Sequence, residues 1–477
     1  MNPLSGLLKK YYPVIIGLLA LGALVWWLTE NPTRDFSLSE PGADGFAEGG
    51  VFEEEIIIGE HFKRFREHPH VPTERWIRFR GDQSDNISRS PIPLISSFNG
   101  RVPDVLWSVQ LGEGHSGAAI YDGLVYVLDY DEESRADMLR CFVLETGEEV
   151  WRRWYHLLIR RNHGMSRTVP AVTEDFILTI GPRGHVMCLD RLTGDFLWGI
   201  DIEKEYNSEI PLWYTGQCPL IDEGVAIIAT GGDALMIGVD CATGEVLWRV
   251  PNPDRHEMSH SSVIPYTFGG RKMYLYSGIG IAAGIAADGP DAGTILWQTN
   301  RWNFPVVAPS PVGMPDGRIL LTAGYGAGTM LLQLREANGS FTVEVAASFS
   351  PGEGLSSEQQ TPILLNGLLY GIMPKDARGL RNQFVCVRAD DPTRVVWSSG
   401  ASARFGLGPY ILADNKFFLL NDDATLHIIE LSTTRYRELD KVRLFDGFDA
   451  WAPLAIANGL MVLRDSEKMI CIDLRKK

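Results

Sequence analysis

From residue 105 to the C-terminus, short apolar runs alternate with clusters of Gly, Asp, Asn and Thr, and the alternation itself repeats. One unit reads as four strands. The first is entered through Pro or a small residue, and a turn such as Asp122-Gly123 leads to the second. The third ends at Thr-Gly, and the fourth carries Trp. The entry residue recurs at Ala118, Pro170, Pro219, Ser262, Pro311, Pro362, Pro409 and Pro453, at spacings of 52, 49, 43, 49, 51, 47 and 44 residues. Trp recurs at Trp107, Trp151, Trp198, Trp248, Trp297 and Trp397. The mark is missing near residues 345–349 and in the fourth strand expected at 436–445. Four strands per period of about 40–50 residues is the pattern of propeller blades.

Eight entry marks predict eight blades. The last unit ends at Leu474, one strand short, while residues 105–111 form an extra fourth strand ahead of the first complete unit. The expected fold is all-β: an eight-bladed β-propeller over residues 101–477, closed into a circle by its N-terminal strand. Closure removes the two exposed edges of an open array. Asp190-Arg-Leu-Thr-Gly194 and Asp240-Cys-Ala-Thr-Gly244 are turn sequences, in which Gly supplies positive φ and Asp or Thr bonds the local backbone. The Trp positions are expected to cover the seams between blades.

The N-terminus follows another pattern. Lys9 and Lys10 precede an uncharged apolar run at residues 11–28, with Tyr11 and Tyr12 at one end and Trp26 and Trp27 at the other. Such a run can cross a hydrocarbon core of about 30 Å as one helix. No small-residue cleavage site follows it, and no Cys directly after it offers lipoprotein processing. The expectation is a cytoplasmic stub and transmembrane helix over 1–30, single-pass in the bacterial inner membrane. The propeller would stand on the periplasmic side, with membrane or envelope proteins as its partners. Residues 31–100 read as a connector, with the order of 36–75 left open. A short strand is expected to start at Glu53-Glu54-Glu55 and Ile56-Ile57-Ile58, and Trp76-Ile-Arg-Phe-Arg-Gly81 is expected to pack on the propeller.

Composition sharpens this in two places. The formal charge of −16 over 477 residues, with no basic stripe, excludes nucleic acid as a partner. Of six cysteines, Cys141, Cys188, Cys386 and Cys471 occupy equivalent strand positions in different units, which suits buried small hydrophobes rather than disulfides.

Candidate chemistry gathers in the loops between fourth and first strands. These hold or adjoin His115, His156, His163, His256 and His260, with Arg160, Arg161 and Arg255. His163, His256 and His260 are candidate metal ligands, His256 and His260 having ligand-like spacing; the alternative is a polar rim of histidines bonded to backbone or water. Trp213, Tyr214, Trp302 and Trp451, with Arg160 and Arg161, suit an interaction face or a plug for the central channel. Gly324-Tyr-Gly-Ala-Gly328 opens no helix and so lacks the amide cluster of a phosphate site. Ser310, Ser356 and Ser357 have no nucleophile context, and no catalytic residue is assigned.

The units Asp190-x-x-Thr-Gly-x-x-x-Trp198 and Asp240-x-x-Thr-Gly-x-x-x-Trp248, with the shortened Glu145-Thr-Gly-x-x-x-Trp151, resemble the pyrroloquinoline-quinone-like (PQQ-like) propeller repeat. That family includes quinoprotein alcohol dehydrogenases and the propeller lipoprotein of the bacterial β-barrel assembly machinery. The resemblance covers about 105–474, and Trp76-x-x-Phe-Arg-Gly81 is similar to a tag carried by exported bacterial members. It implies either a non-catalytic interaction or assembly scaffold, or a periplasmic dehydrogenase holding PQQ and Ca²⁺. A ligand- or saccharide-binding propeller is a third reading. The dehydrogenase chemistry implies a quinone sandwiched by Trp and a disulfide of adjacent cysteines, a metal held by Asp, Glu and Asn, and an Asp base. This sequence has no Cys-Cys pair and no matching ligand set, so no cofactor is expected.

Overall fold

The computed structural model describes residues 4–29, 55–67, 71, 73–447 and 449–476, the side chains of 4–10, 15, 28 and 29 excepted. The chain divides into two units, Met1–Phe52 and Glu53–Lys477. In the first, helix α1 (Leu4–Thr29) includes Pro13. Among the described residues no helix is long and apolar enough to cross a membrane. The expected transmembrane anchor is therefore not supported by the structure; aromatic, Gly and Pro positions interrupt the aliphatic ones along α1.

The second unit holds eight antiparallel sheets. The innermost strands begin at Ala119, Ala171, Leu220, Ile264, Val312, Ile363, Tyr410 and Ala455, each one or two residues after an entry mark. Pro is tolerated there because the first residue of a strand need not donate to the ladder. The inner strands of the eighth, first, second and third blades lie successively against one another. The unmarked fourth strands are Ser340–Phe349 and Glu438–Arg443.

Closure occurs as the strand count requires. The eighth sheet consists of Ala455–Ala457, Leu460–Arg464, Lys468–Asp473 and the early strand Val105–Gln110, which pairs antiparallel with Lys468–Asp473 and sets Trp107 opposite Cys471. The ring thus joins both ends of its sequence by main-chain hydrogen bonds, leaving no unpaired edge between first and last blades.

Recurrence of both Trp and Thr-Gly has one physical cause. The Trp107 Nε1–H donates to the Leu144 carbonyl at 2.7 Å, that of Trp198 to Cys241 at 2.8 Å, and that of Trp397 to Ser432 at 2.9 Å. In each case the acceptor belongs to the next blade. Where that next blade has a turn glycine, it lies under the indole. A Cβ at Gly147 would come within 2.5 Å of Trp107, one at Gly244 within 2.8 Å of Trp198, and one at Gly293 within 2.7 Å of Trp248. Seam Trp and turn Gly are thus two halves of one contact. Gly244 (φ +76°) and Gly270 (φ +75°) share a backbone conformation, but a Cβ at Gly270 meets nothing within 4 Å. Gly270→Ala should therefore cost about 1 kcal/mol of backbone strain. Gly244→Ala should cost about 2–4 kcal/mol, since the indole must also move. Equal urea midpoints for the two variants would refute the seam contact.

The connector departs from expectation at one point. Residues 55–57 form no strand, and Glu53 and Glu54 lie outside the described residues. The strand is His61–Arg64, which adds a fifth member to the first blade along Glu149–His156. Buried Arg153 fixes it by donating to the Gly59 carbonyl at 2.7 Å. Three of the four residues of this strand are polar, Phe62 alone being apolar, so the apolar Ile triplet misled.

Trp76-Ile-Arg-Phe-Arg-Gly81 crosses the channel end nearest the turns between first and second strands. Trp76 is buried and bridges Ile120 of the first blade. The Val172 amide of the second blade donates to the Ile77 carbonyl at 2.8 Å. Arg78 donates to the Ile221 carbonyl of the third at 3.3 Å, and buried Arg80 to the Pro362 carbonyl of the sixth at 3.4 Å. Further along, the Ser88 amide donates to Leu412 of the seventh blade at 2.8 Å, and Glu74 accepts from the Asn458 amide of the eighth at 2.8 Å. Gly81 is required because its φ is +79° and a Cβ would touch the Trp76 ring at 3.0 Å. The segment is an axial plug tied to six of the eight blades.

Candidate functional site

At the other end of the axis, the segments leading into the inner strands converge on a cavity of about 340 Å³. His115 enters from the first blade, His163 and Arg167 from the second, Trp213 and Cys218 from the third, and His260 from the fourth. Glu358 and Gln360 come from the sixth and Trp451 from the eighth, while Tyr325 reaches in from a turn of the fifth and Phe79 from the plug. No single blade could build this wall; only the ring brings these residues together.

The polar groups have distinct roles. Arg167 donates through Nη2 to the carbonyls of Asn162, His163 and Gly164 at 3.0, 2.6 and 3.3 Å, and its guanidinium lies 5.6 Å from the Trp451 ring. Its Nε is shielded from solvent and has no hydrogen-bond partner. Burial lowers the Arg167 guanidinium to about 10, which leaves it charged at neutral pH. His115 stacks on Trp451 at 3.4 Å and 15°. Burial first, then the charges of Arg167 and Arg464, push His115 down to about 2. Burial and Arg167 push His260 down to about 4. Both imidazoles are therefore neutral near pH 7. Glu358 is neutralised by Lys375 at 3.2 Å, and Gln360 steadies Trp451 by donating to its carbonyl at 3.5 Å.

The mouth is strained. Trp213 (φ +68°), Tyr214 (φ +70°), Tyr325 (φ +55°), His163 (φ +52°) and Asp449 (φ +57°) all occupy the left-handed region without being glycine. Each costs on the order of 1–2 kcal/mol, and such residues gather where a ligand or partner is clamped. The Tyr214 hydroxyl donates to the Arg160 carbonyl at 2.5 Å, tying two loops together. Trp213 lies between His260 (6.3 Å) and Tyr325 (5.9 Å).

The expected site residues divide. His163 and His260 reach the cavity wall, but His256 sits apart, with its nearest carboxylate Asp254 at 3.9 Å. His156 receives no cavity neighbour; its Nδ1 is 3.2 Å from the Ser134 carbonyl. Among the described residues no three His, Cys, Asp or Glu side chains come together to hold a metal ion. Trp302 is corrected: it is 1% exposed and packs edge-on against Phe304 at 4.7 Å, so it offers no surface. Arg160 and Arg161 are exposed on the loop, Arg161 paired with Glu113. Arg167, Tyr325, Glu358 and Phe79 escaped sequence reading. Two left a signal: Phe79 as the Phe of the Trp-x-x-Phe-Arg-Gly segment, and Tyr325 within Gly324-Tyr-Gly-Ala-Gly328.

Residues 135–303 match the family model described as outer membrane protein assembly factor BamB. Residues 135–303 thus carry PQQ-like propeller repeats, over about a third of the chain. BamB from Moraxella catarrhalis superposes on this PQQ-like propeller with a TM-score of 0.50 at 13% identity, covering 78% of this chain and 98% of that one. A europium-containing methanol dehydrogenase gives 0.55 at 11%, covering 84% and 89%. Quinohemoprotein alcohol dehydrogenase ADHIIG from Pseudomonas putida HK5 gives 0.55 at 10%, covering 84% and 80%. At these identities the likeness establishes the fold alone. None of the curated proteins matches the chain.

The residues of the PQQ-like propeller do not fit the quinone and calcium ion that the dehydrogenase branch implies. Among the described residues Cys218 is the one cysteine on the cavity wall; it is buried, free, accepts from the Val169 amide at 3.2 Å, and has no cysteine beside it in sequence. Of the cavity carboxylates, Glu358 is held by Lys375 and Asp449 is exposed at the rim.

Proposed function

We propose that this PQQ-like propeller is a non-catalytic docking module of the bacterial cell envelope, receiving a protein partner on its loop face. The observation that carries the reading is the apolar character of that face. Leu158 is 52% exposed, Leu212 64% and Tyr325 49%, on the loops that also carry Trp213, Tyr214 and the exposed Arg160 and Arg161. Aromatic, aliphatic and Arg side chains on rigid loops are the composition of a docking surface. The strained, cross-tied loops are pre-organised, which reduces the entropy lost on binding. The match to the BamB family model supports an envelope assembly role.

Tethering to the inner membrane, with the propeller on the periplasmic side, rests on the sequence of residues 11–28 alone. Deleting residues 1–30 should move the protein from the alkali-resistant membrane fraction to the soluble one; unchanged fractionation would remove the tether from the proposal.

A photo-crosslinker at Leu212 or Tyr325 in intact cells should trap one envelope protein. The same probe at Leu247, exposed on the outer edge of the third blade, should not. Combining Leu158→Glu with Leu212→Glu should abolish the adduct formed from position 325 without changing the melting curve. Equal capture at Leu247, or an adduct that survives the charged pair, would defeat the reading.

A further inference from the structure

The axial cavity does not suit a quinone–calcium pair, but its chemistry is not neutral. Among the described residues Arg167 has no ion pair: its hydrogen bonds go to three backbone carbonyls, and its Nε has none. Arg80 and Arg464 are fully buried on carbonyls and neither borders the cavity, whereas Arg167 is half-buried and faces it. The carboxylate that acts on Arg167 most, Glu113, is already paired with Arg161, so an anion brought to this guanidinium from the cavity gains a charge-assisted hydrogen bond. The other charges facing the cavity do not supply the anion. Glu358 is compensated by Lys375, Asp449 lies exposed at the rim, and His115 and His260 carry no charge near pH 7. His115 Nδ1 is a second shielded atom without a partner.

Shape adds to charge. Flat side chains line the space: Trp451 backed by His115, Trp213 at the mouth, and Phe79 at the plugged end. The plug closes one end, so entry is past the strained Trp213–Tyr325 pair at 5.9 Å. A cavity with aromatic walls and one convergent polar anchor is the form of a small-molecule site. We infer that the axial cavity binds a small flat organic carboxylate without a metal ion, its carboxylate on Arg167 and its ring among Phe79, Trp213 and Trp451. This goes beyond the docking reading, because the site lies inside the ring and stands whether or not the outer loops receive a protein.

Isothermal titration of the purified full chain tests it with four probes: benzoate, benzamide, inorganic phosphate, and PQQ with Ca²⁺. Benzoate should bind saturably. Benzamide, the same shape without the charge, should bind at least about tenfold more weakly, the usual margin for a charge-assisted hydrogen bond. Phosphate should also be weaker, since it has no ring. Arg167→Met should lose benzoate binding by a similar factor. Should that variant misfold, Trp213→Leu, which alters only the mouth, should weaken benzoate while leaving phosphate unchanged. Equal affinity for benzoate and benzamide, phosphate matching benzoate, no saturable heat from benzoate, or calcium-dependent quinone binding tighter than benzoate would each overturn the inference.

Discussion

Trp107→Ala is expected to destabilise the propeller by about 3–5 kcal/mol, the range for removing a large buried aromatic side chain. Trp107 is 7% exposed, bonds Leu144 of the first blade at 2.7 Å, and lies on the strand that completes the eighth. Its loss would both empty the seam and loosen the strand that closes the ring, exposing a sheet edge prone to pairing with other chains. Leu106→Ala, one residue away but 39% exposed, is the control and should shift stability by less than about 1 kcal/mol. Urea unfolding followed by tryptophan fluorescence reads both. Similar midpoints for the two variants would mean that closure contributes little to holding the ring.

The second large effect concerns acid. The unfolded chain protonates its imidazoles near pH 6.5, whereas His115 and His260 resist until about 2 and about 4. Below pH 6.5 the unfolded state therefore binds more protons, and acidification lowers stability by about 1.4 kcal/mol per pH unit per group. Combining His115→Gln with His260→Gln should remove this slope. Between pH 6.5 and 4.5 the variant should lose about 3–5 kcal/mol less than the parent. Comparison of the two curves is needed because buried carboxyls oppose the trend. Burial raises Asp137 and Asp422 to about 6, so each gains stability as pH falls from about 6 toward 4. Parallel urea-midpoint profiles for parent and variant would show that the two imidazoles are not held neutral.

Much of the ring could be read from local chemistry. Pro170, Pro219 and Pro409 mark strand entries because Pro cannot donate to the ladder and suits a strand's start, and Gly194 and Gly244 mark turns because positive φ disfavours a Cβ. The site was less legible. His163 and His260 were found because loop histidines stand out, but His256 was grouped with His260 by spacing alone, and the two diverge in space. Trp302 looked like a surface aromatic because nothing in its neighbours records that it turns inward onto Phe304.

What the sequence by itself determined is the module and its count: alternating polarity makes strands, turn glycines end them, and a surplus strand at the start matches a missing one at the end. Those are properties of neighbours in the chain, carried by backbone sterics and burial. Tertiary structure alone decided the cavity, because Phe79 and Trp451, 372 positions apart in the numbering, meet only when the plug and the closed ring share one axis. Arg167 acquires its meaning the same way: a guanidinium is ordinary in water, and becomes an anion's counterpart only where the folded ring holds it on backbone carbonyls at the wall of an aromatic cavity.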